Sequence, residues 1–332
     1  MFESYADSFI RKSVGNYERA LLLAGDASNR RYYRIYKNSK SYILCVDEQF
    51  RNVPEKYYPY NIVYDIFRRE DIPVPEVYCK DSTNGLLLIE DLGDDLLESV
   101  YPDLPPIKRN EIYTELIDIL ITIQQIRRVE ELPLFKLSFD VEKLMYEFKF
   151  FIENALVKHL GLNAGDSRLQ ELTAEFVKIS NILYRPEYFV LCHRDFHSRN
   201  VLLVNNRPYL IDFQDARMGL PQYDLASLLR DSYLNLDNES FRFLTRYYYR
   251  QSQLAGIHSM SNDEFDYYFD IIAFQRNIKA VGTFAYQASS LGRERYIKYI
   301  RPTLAYLGDY IERSTELRMA GELLKSLIEV DW

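Results

Sequence analysis

Near residue 95 the spacing of apolar residues changes from strand-like alternation to helical recurrence, and a chain with that change of period folds as a sheet followed by helices. Before it, short runs rich in Tyr, Val, Ile and Leu, at Glu18 to Ala24, Arg31 to Tyr36, Ser41 to Val46, Glu76 to Cys79 and Leu86 to Glu90, read as five strands. The polar KNSK predicts a hairpin turn between the second and third. A helix over about Glu55 to Arg69 interrupts the series until Pro73 and Pro75 force an extended backbone. After Pro105 and Pro106, which suit a helix start, Ile112, Leu116, Ile119, Leu120, Ile123 and Ile126 recur at helical spacing. Further helices are predicted over Val141 to Leu160, Ser167 to Tyr184, Phe241 to Leu254, Asp263 to Tyr286 and Pro302 to Ile328. Only Tyr188 to Asp212 reads as strand in this second part. The expected class is α+β and two-lobed: a small five-stranded antiparallel lobe over 1–94 and a larger, mainly helical lobe over 95–332.

With 332 residues, 47% of them hydrophobic and 27% charged, the chain has material for two cores. The net charge of -8 argues against a general nucleic-acid or anionic-membrane surface. There is no run of eighteen uncharged apolar residues, and the opening MFESYADSFIRK lacks the basic and apolar regions of a secretory signal, so a cytoplasmic location is expected. Cys45, Cys79 and Cys192 are scattered inside apolar runs without metal-ligand spacing and read as buried thiols. The 29 tyrosines and 19 phenylalanines read as packing. Nothing in the pattern calls for an obligate protein partner.

The segment YFVLCHRDFHSRNVLLVNNRPYLIDFQD carries the chemistry. VLLV and PYLI flank Asn205, Asn206 and Arg207, and a two- or three-residue loop there places Asn200 across from Ile211 or Asp212. An amide oxygen and a carboxylate so placed can share a small hard cation, and oxygen ligands completed by water and phosphate suit Mg2+. Asp195 stands five residues before Asn200, on the loop feeding the hairpin. The pattern H-x-D-x-x-x-x-N, a hairpin, then D-F matches the catalytic and metal loops of protein kinases, with Gln214 in place of the glycine. Phosphoryl transfer needs those residue types, since its catalysis is mostly positioning and charge neutralisation. The expected roles are Asp195 as catalytic base, Asn200 and Asp212 as metal ligands, and ATP as phosphoryl donor. His193 reads as a brace of the loop. His197 and Arg199 point toward the transferring phosphate, the acceptor or solvent.

Beyond this loop, the stretches GDASNRRYYR (25–34), IPVPEVY (72–78), LLLIEDLGD (86–94), CHRDFHSRNVLL (192–203), IDFQDARMGLPQYDLASLLRDSY (211–233) and FQRNIKAVGTF (274–284) resemble the aminoglycoside phosphotransferase superfamily. The resemblance is closer to the bacterial anomeric sugar kinases acting on N-acetylmuramate and N-acetylglucosamine in cell-wall recycling. It implies a protein-kinase-like fold, ATP bound between lobes, and phosphorylation of an anomeric hydroxyl. By position it implies that GDASNRR covers the phosphates, with Ser28 and Arg31 neutralising charge. Glu90 to Leu92 would form a hinge meeting adenine, and Asp224 would cap the following helix and support the catalytic loop. The strand SYILCVDEQF lacks the phosphate-binding lysine of many kinases, as the anomeric kinases do, and Arg31 or Arg34 is expected to replace it.

Two other functions fit the residues. A cationic acceptor, such as an aminoglycoside or a choline-like amino alcohol, would want carboxylates, and Asp81 to Asp103 is acidic. An anionic acceptor would want arginine, for which Arg199, Arg217, Arg230 and Arg276 are candidates. A catalytically silent nucleotide-binding scaffold is the alternative of another class, and the intact Asp195, Asn200 and Asp212 count against it.

Overall fold

Strands β1 (Arg19–Leu22), β2 (Arg31–Lys37), β3 (Lys40–Val46), β4 (Val77–Asp81) and β5 (Leu86–Glu90) form one antiparallel sheet in the order β1-β2-β3-β5-β4. Ile35, Leu44, Val46, Leu86 and Leu88 bury their side chains on one face with Ala6 and Ile10 of helix α1 (Ser4–Val14), while Ile43, Cys45, Leu87 and Ile89 are buried on the other. The computed structural model describes residues 4–23 and 30–328. The chain divides into two compact units, one holding residues through Leu97 together with Asn200–Asp215, the other holding Glu98–Arg199 and the chain from Ala216 onward.

The first unit also contains helix α2 (Pro59–Arg69) and the hairpin of β6 (Val201–Val204) and β7 (Arg207–Leu210). Sequence reading places that hairpin with the helical part; the structure groups it with the sheet unit. The backbone explains the grouping, since Leu203 N–H donates to the Asp95 carbonyl at 2.8 Å and Leu210 N–H to the Pro73 carbonyl at 2.8 Å. Beyond β7, the Phe213 ring packs against Tyr60 and Phe67 of α2. Asn205 and Asn206 form the hairpin turn with φ of 52° and 63°, left-handed values that asparagine tolerates and that match the twist of the flanking strands.

The second unit comprises helices α3 (Pro106–Gln124), α4 (Val141–Phe151), α5 (Ser167–Leu183), α6 (Gln222–Leu229), α7 (Asn238–Leu254), α8 (Asn262–Ser289), α9 (Ile300–Arg313) and α10 (Arg318–Ile328). The long α8 is buried over most of its length. At Gly282 it passes so close to α4 that an added Cβ would sit 2.8 Å from the Phe151 Cα. A short ladder pairs Val190–Cys192 with Arg217–Gly219 and presents the loop that follows Cys192.

Two helices differ from the pattern. The single helix expected over Pro302 to Ile328 is broken at Ser314, whose backbone is extended (φ -117°, ψ 119°), and the Ser314 and Thr315 hydroxyls bond Glu316 instead of supporting a continuous helix. The helix expected to run to Leu160 widens after Phe151 into a stretch over Ile152–His159 closed by wider turns. Cys45 and Cys192 are buried thiols, while Cys79 is partly exposed. Among the described residues, no helix is long and apolar enough to cross a membrane.

Candidate active site

The loop after Cys192 is held by a buried carboxylate. Asp224, in the first turn of α6, accepts the His193 N–H at 2.6 Å and the Arg194 N–H at 2.9 Å. It does not cap its own helix, which starts at Pro221 without a side-chain cap. Arg194 adopts φ 83°, a left-handed conformation uncommon for a residue with a side chain, and the two hydrogen bonds flanking it maintain the turn. Burial pushes the Asp224 carboxyl up to about 7 against the pull of those two amides. Asp224→Ala strands both buried donors and is expected to cost about 2 to 5 kcal/mol of stability, measured by urea unfolding. A change below about 0.5 kcal/mol would show that the loop is held by other contacts.

The loop presents Asp195 to three cations. Its Oδ1 lies 2.9 Å from Lys279 Nζ and 3.9 Å from an Arg276 guanidinium nitrogen, while its Oδ2 lies 3.9 Å from Arg194 Nε. Burial works to raise the Asp195 carboxyl, but Lys279, Arg194 and Arg276 outweigh it and hold Asp195 well below the ordinary carboxylate range. His193 is fully buried. His197 is neutral at physiological pH, because burial, reinforced by Arg276, pushes its imidazole down to about 3. A cavity of about 210 Å³ opens beside these residues. Its charged lining comprises Arg194, Arg230, Arg276 and Lys279 against Asp195 and Asp231, so the cations are in excess.

Of the acceptor-contact candidates from the sequence, His197, Arg230 and Arg276 line this cavity, and Arg199 and Arg217 do not. Arg199 is occupied elsewhere: its Nε donates to Glu98 at 2.7 Å, it bonds the Tyr299 hydroxyl at 2.8 Å, and it lies 4.0 Å from the Tyr233 ring centroid. Arg217 sits in the ladder opposite Cys192, with its guanidinium 5.3 Å from the Phe139 ring. Lys279 is the cationic partner that sequence reasoning did not assign; its sequence signals are its place in the stretch 274–284 and a position three residues after Arg276, which places both on one helix face.

In the sheet unit, the β6–β7 register pairs Asn200 with Ile211, whose N–H donates to the Asn200 carbonyl at 3.0 Å. A continued strand would send the next side chain, Asp212, to the opposite face. The extended run instead ends there, with Asp212 at φ 61°. The Asp212 carboxylate is half-exposed, accepts Gln214 Nε2 at 2.8 Å and lies 3.8 Å from Arg30. These two residues offer one amide and one carboxylate oxygen, and no group of three His, Cys, Asp or Glu suited to a metal occurs among the described residues. Hard oxygen donors too few to enclose an ion fit magnesium, which takes its remaining ligands from water and phosphate.

The arginines differ from expectation. Arg34 is committed to the segment after β5, with Nε 2.7 Å from Asp91 and a terminal nitrogen 2.7 Å from Asp94. It braces the Glu90 to Leu92 stretch, its charge already matched by those two carboxylates. Arg31 is exposed at the start of β2. Arg30 is the guanidinium near Asp212, anchored by Asp47 at 2.8 Å on the carboxylate that ends β3. Asp47 is itself fixed, accepting the Gln49 N–H at 2.8 Å and the Tyr58 hydroxyl. Ser28 and the rest of 24–29 lie outside the described residues.

Comparison with known proteins agrees with this architecture. The model of the phosphotransferase enzyme family matches residues 19–261, and the chain belongs to that family. It is 31% identical to the N-acetylmuramate/N-acetylglucosamine kinase of Neisseria meningitidis serogroup B, over 92% of this chain and 89% of that protein. It is 29% identical to the kinase of the same name from Pseudomonas aeruginosa, over 96% and 92% of the two chains. Among solved structures, the ADP-bound aminoglycoside phosphotransferase APH(2'')-Ib superposes with a TM-score of 0.63 at 17% identity, covering 93% of this chain and 99% of that one. The choline kinase LicA from Streptococcus pneumoniae superposes with a TM-score of 0.60 at 15% identity, covering 91% and 100%. The fold is the two-lobed, kinase-like α+β fold expected from the sequence, and the protein is a phosphotransferase.

Proposed function

We propose that the protein transfers the γ-phosphoryl group of ATP to the anomeric hydroxyl of an N-acetylated amino sugar, N-acetylglucosamine or N-acetylmuramate, with Asp195 as general base. The observation that carries this reading is the excess of cations in the cavity beside Asp195. A polycationic aminoglycoside or a quaternary amino alcohol would enter against Arg194, Arg230, Arg276 and Lys279, whereas a neutral sugar or one bearing a carboxylate would not. The curated relatives act, by their names, on such sugars.

In the proposed reaction the C1 hydroxyl donates its hydrogen bond to Asp195. As the oxygen attacks the γ-phosphorus the proton passes to that carboxylate, the bond to the β-phosphate oxygen breaks, and ADP leaves. A magnesium ion held by Asn200 and Asp212 would neutralise charge on the phosphates. Backbone groups of Glu90 and Leu92, on the segment braced by Arg34, meet the adenine. Charging the purified protein with MgATP and comparing N-acetylglucosamine and N-acetylmuramate with an aminoglycoside and choline tests the reading. Turnover of the sugars supports it, and turnover confined to the cationic acceptors contradicts it. ATP binding without turnover of any acceptor would support the silent scaffold.

Arg30 takes the place of the absent strand lysine in this scheme, because Asp47 fixes it near Asp212. Arg30→Ala is expected to lower kcat/KM for ATP by about 10²-fold, the scale of losing one preorganised charge donor. Arg31→Ala should leave it nearly unchanged. The reverse ranking in steady-state kinetics would return the role to Arg31.

A further inference from the structure

We infer that Lys279 is the positioning residue for Asp195, orienting its carboxylate and facing it with a positive charge. This rests on the assignment of Asp195 as the base. The geometry behind it lies within one unit: Lys279 Nζ stands 2.9 Å from Asp195 Oδ1, in the wall of the cavity, delivered from the interior of α8. Its helix neighbour Arg276 is anchored on the Ser227 hydroxyl at 3.1 Å and approaches the same oxygen at 3.9 Å. His197, two residues after Asp195 on the loop, is neutral, and Arg199 is held by Glu98, so neither provides this charge.

A buried ammonium is costly unless paired, and burial holds Lys279 below the ordinary lysine range while Asp195 and Glu147 pull it back up. Besides Asp195, it feels the charge of Glu147 on α4, which is buried, accepts Gln275 Nε2 at 2.9 Å and lies 3.3 Å from Lys143. Asp224 and Tyr223 of α6 act on Asp195 from another side, and Asp231 and Arg230 line the cavity near it. Arg194 and His197 face Asp195 from the loop itself. Lys279 Nζ stands closer to Asp195 Oδ1, at 2.9 Å, than the Arg276 guanidinium nitrogen does at 3.9 Å.

Any ion pair lowers the pKa of its carboxylate, so what marks a role in the reaction is an acid limb of kcat that follows the titration of Asp195. Asp195 is held below its ordinary range, so its ionised form persists as pH falls, and the acid limb of kcat lies low. Removing the ammonium in Lys279→Met lets the carboxyl rise, so the acid limb should move up by about 1 to 3 pH units. With MgATP and N-acetylglucosamine, kcat at neutral pH should fall by about tenfold or more. Lys279→Arg restores the charge and should return the acid limb to its wild-type place. The carboxyl 13C signal of Asp195, assigned by its loss in Asp195→Asn, should show the same shift in titration without any acceptor. If Lys279→Met does not fold, Lys279→Gln is read by the same criteria. An unmoved acid limb and an unmoved 13C titration in the uncharged variant would overturn the inference. Wild-type turnover by Asp195→Asn would instead overturn the assignment of the base.

Discussion

Asp195→Asn is expected to lower kcat by about 10² to 10⁴-fold, the usual worth of general acid–base help, while ATP binding stays close to wild type. The substitution keeps the size of the side chain and much of its hydrogen bonding but removes the proton acceptor. Because Lys279, Arg194 and Arg276 surround the carboxylate, an amide there also leaves three cations without their shared counter-charge. Part of the loss could therefore be structural. A thermal melt separates the two contributions: a rate loss of this size with a small change in melting temperature belongs to proton transfer, and near wild-type turnover would make Asp195 an orienting group only.

A second large effect is expected at the end of the hairpin. Asp212→Asn should lower kcat/KM by about 10³-fold and raise the magnesium concentration needed for half-maximal rate, because one of two oxygen ligands loses its charge. The same change should weaken the hold on Arg30, whose guanidinium lies 3.8 Å from this carboxylate. Asn200→Ala should act in the same direction, and Asp195→Asn should leave the magnesium dependence where it is in the wild type. An Asp212→Asn enzyme with unaltered magnesium dependence would contradict the assignment of the metal ligands.

Much of this was legible in sequence because it is local. Alternating apolar residues mark β1 to β5, and the Asn205–Asn206 turn sets the hairpin register that pairs Asn200 with Ile211. What escaped is what depends on contacts between distant residues. Lys279 meets Asp195 across 84 positions of chain, and no period or motif marks that pairing. Arg30 and Asp47 are 17 apart and join only because β2 and β3 bring the start of one strand beside the end of the other. Arg34 looked equally suited to a phosphate, but the carboxylates of Asp91 and Asp94 engage it after the chain has returned through three further strands. The break at Ser314 was hidden because RSTE contains neither glycine nor proline. The left-handed backbone at Arg194 and Asp212 likewise runs against local preference, as residues held at a functional site often do.

The measurement that bears most directly on the proposed activity is phosphorus NMR of the product formed from MgATP and N-acetylglucosamine, run beside the corresponding methyl glycoside, whose C1 oxygen is blocked. The proposed chemistry predicts a single sugar phosphomonoester coupled to the anomeric proton, with no product from the glycoside. Phosphorylation of the glycoside, or a phosphate on any other hydroxyl of the free sugar, would contradict it.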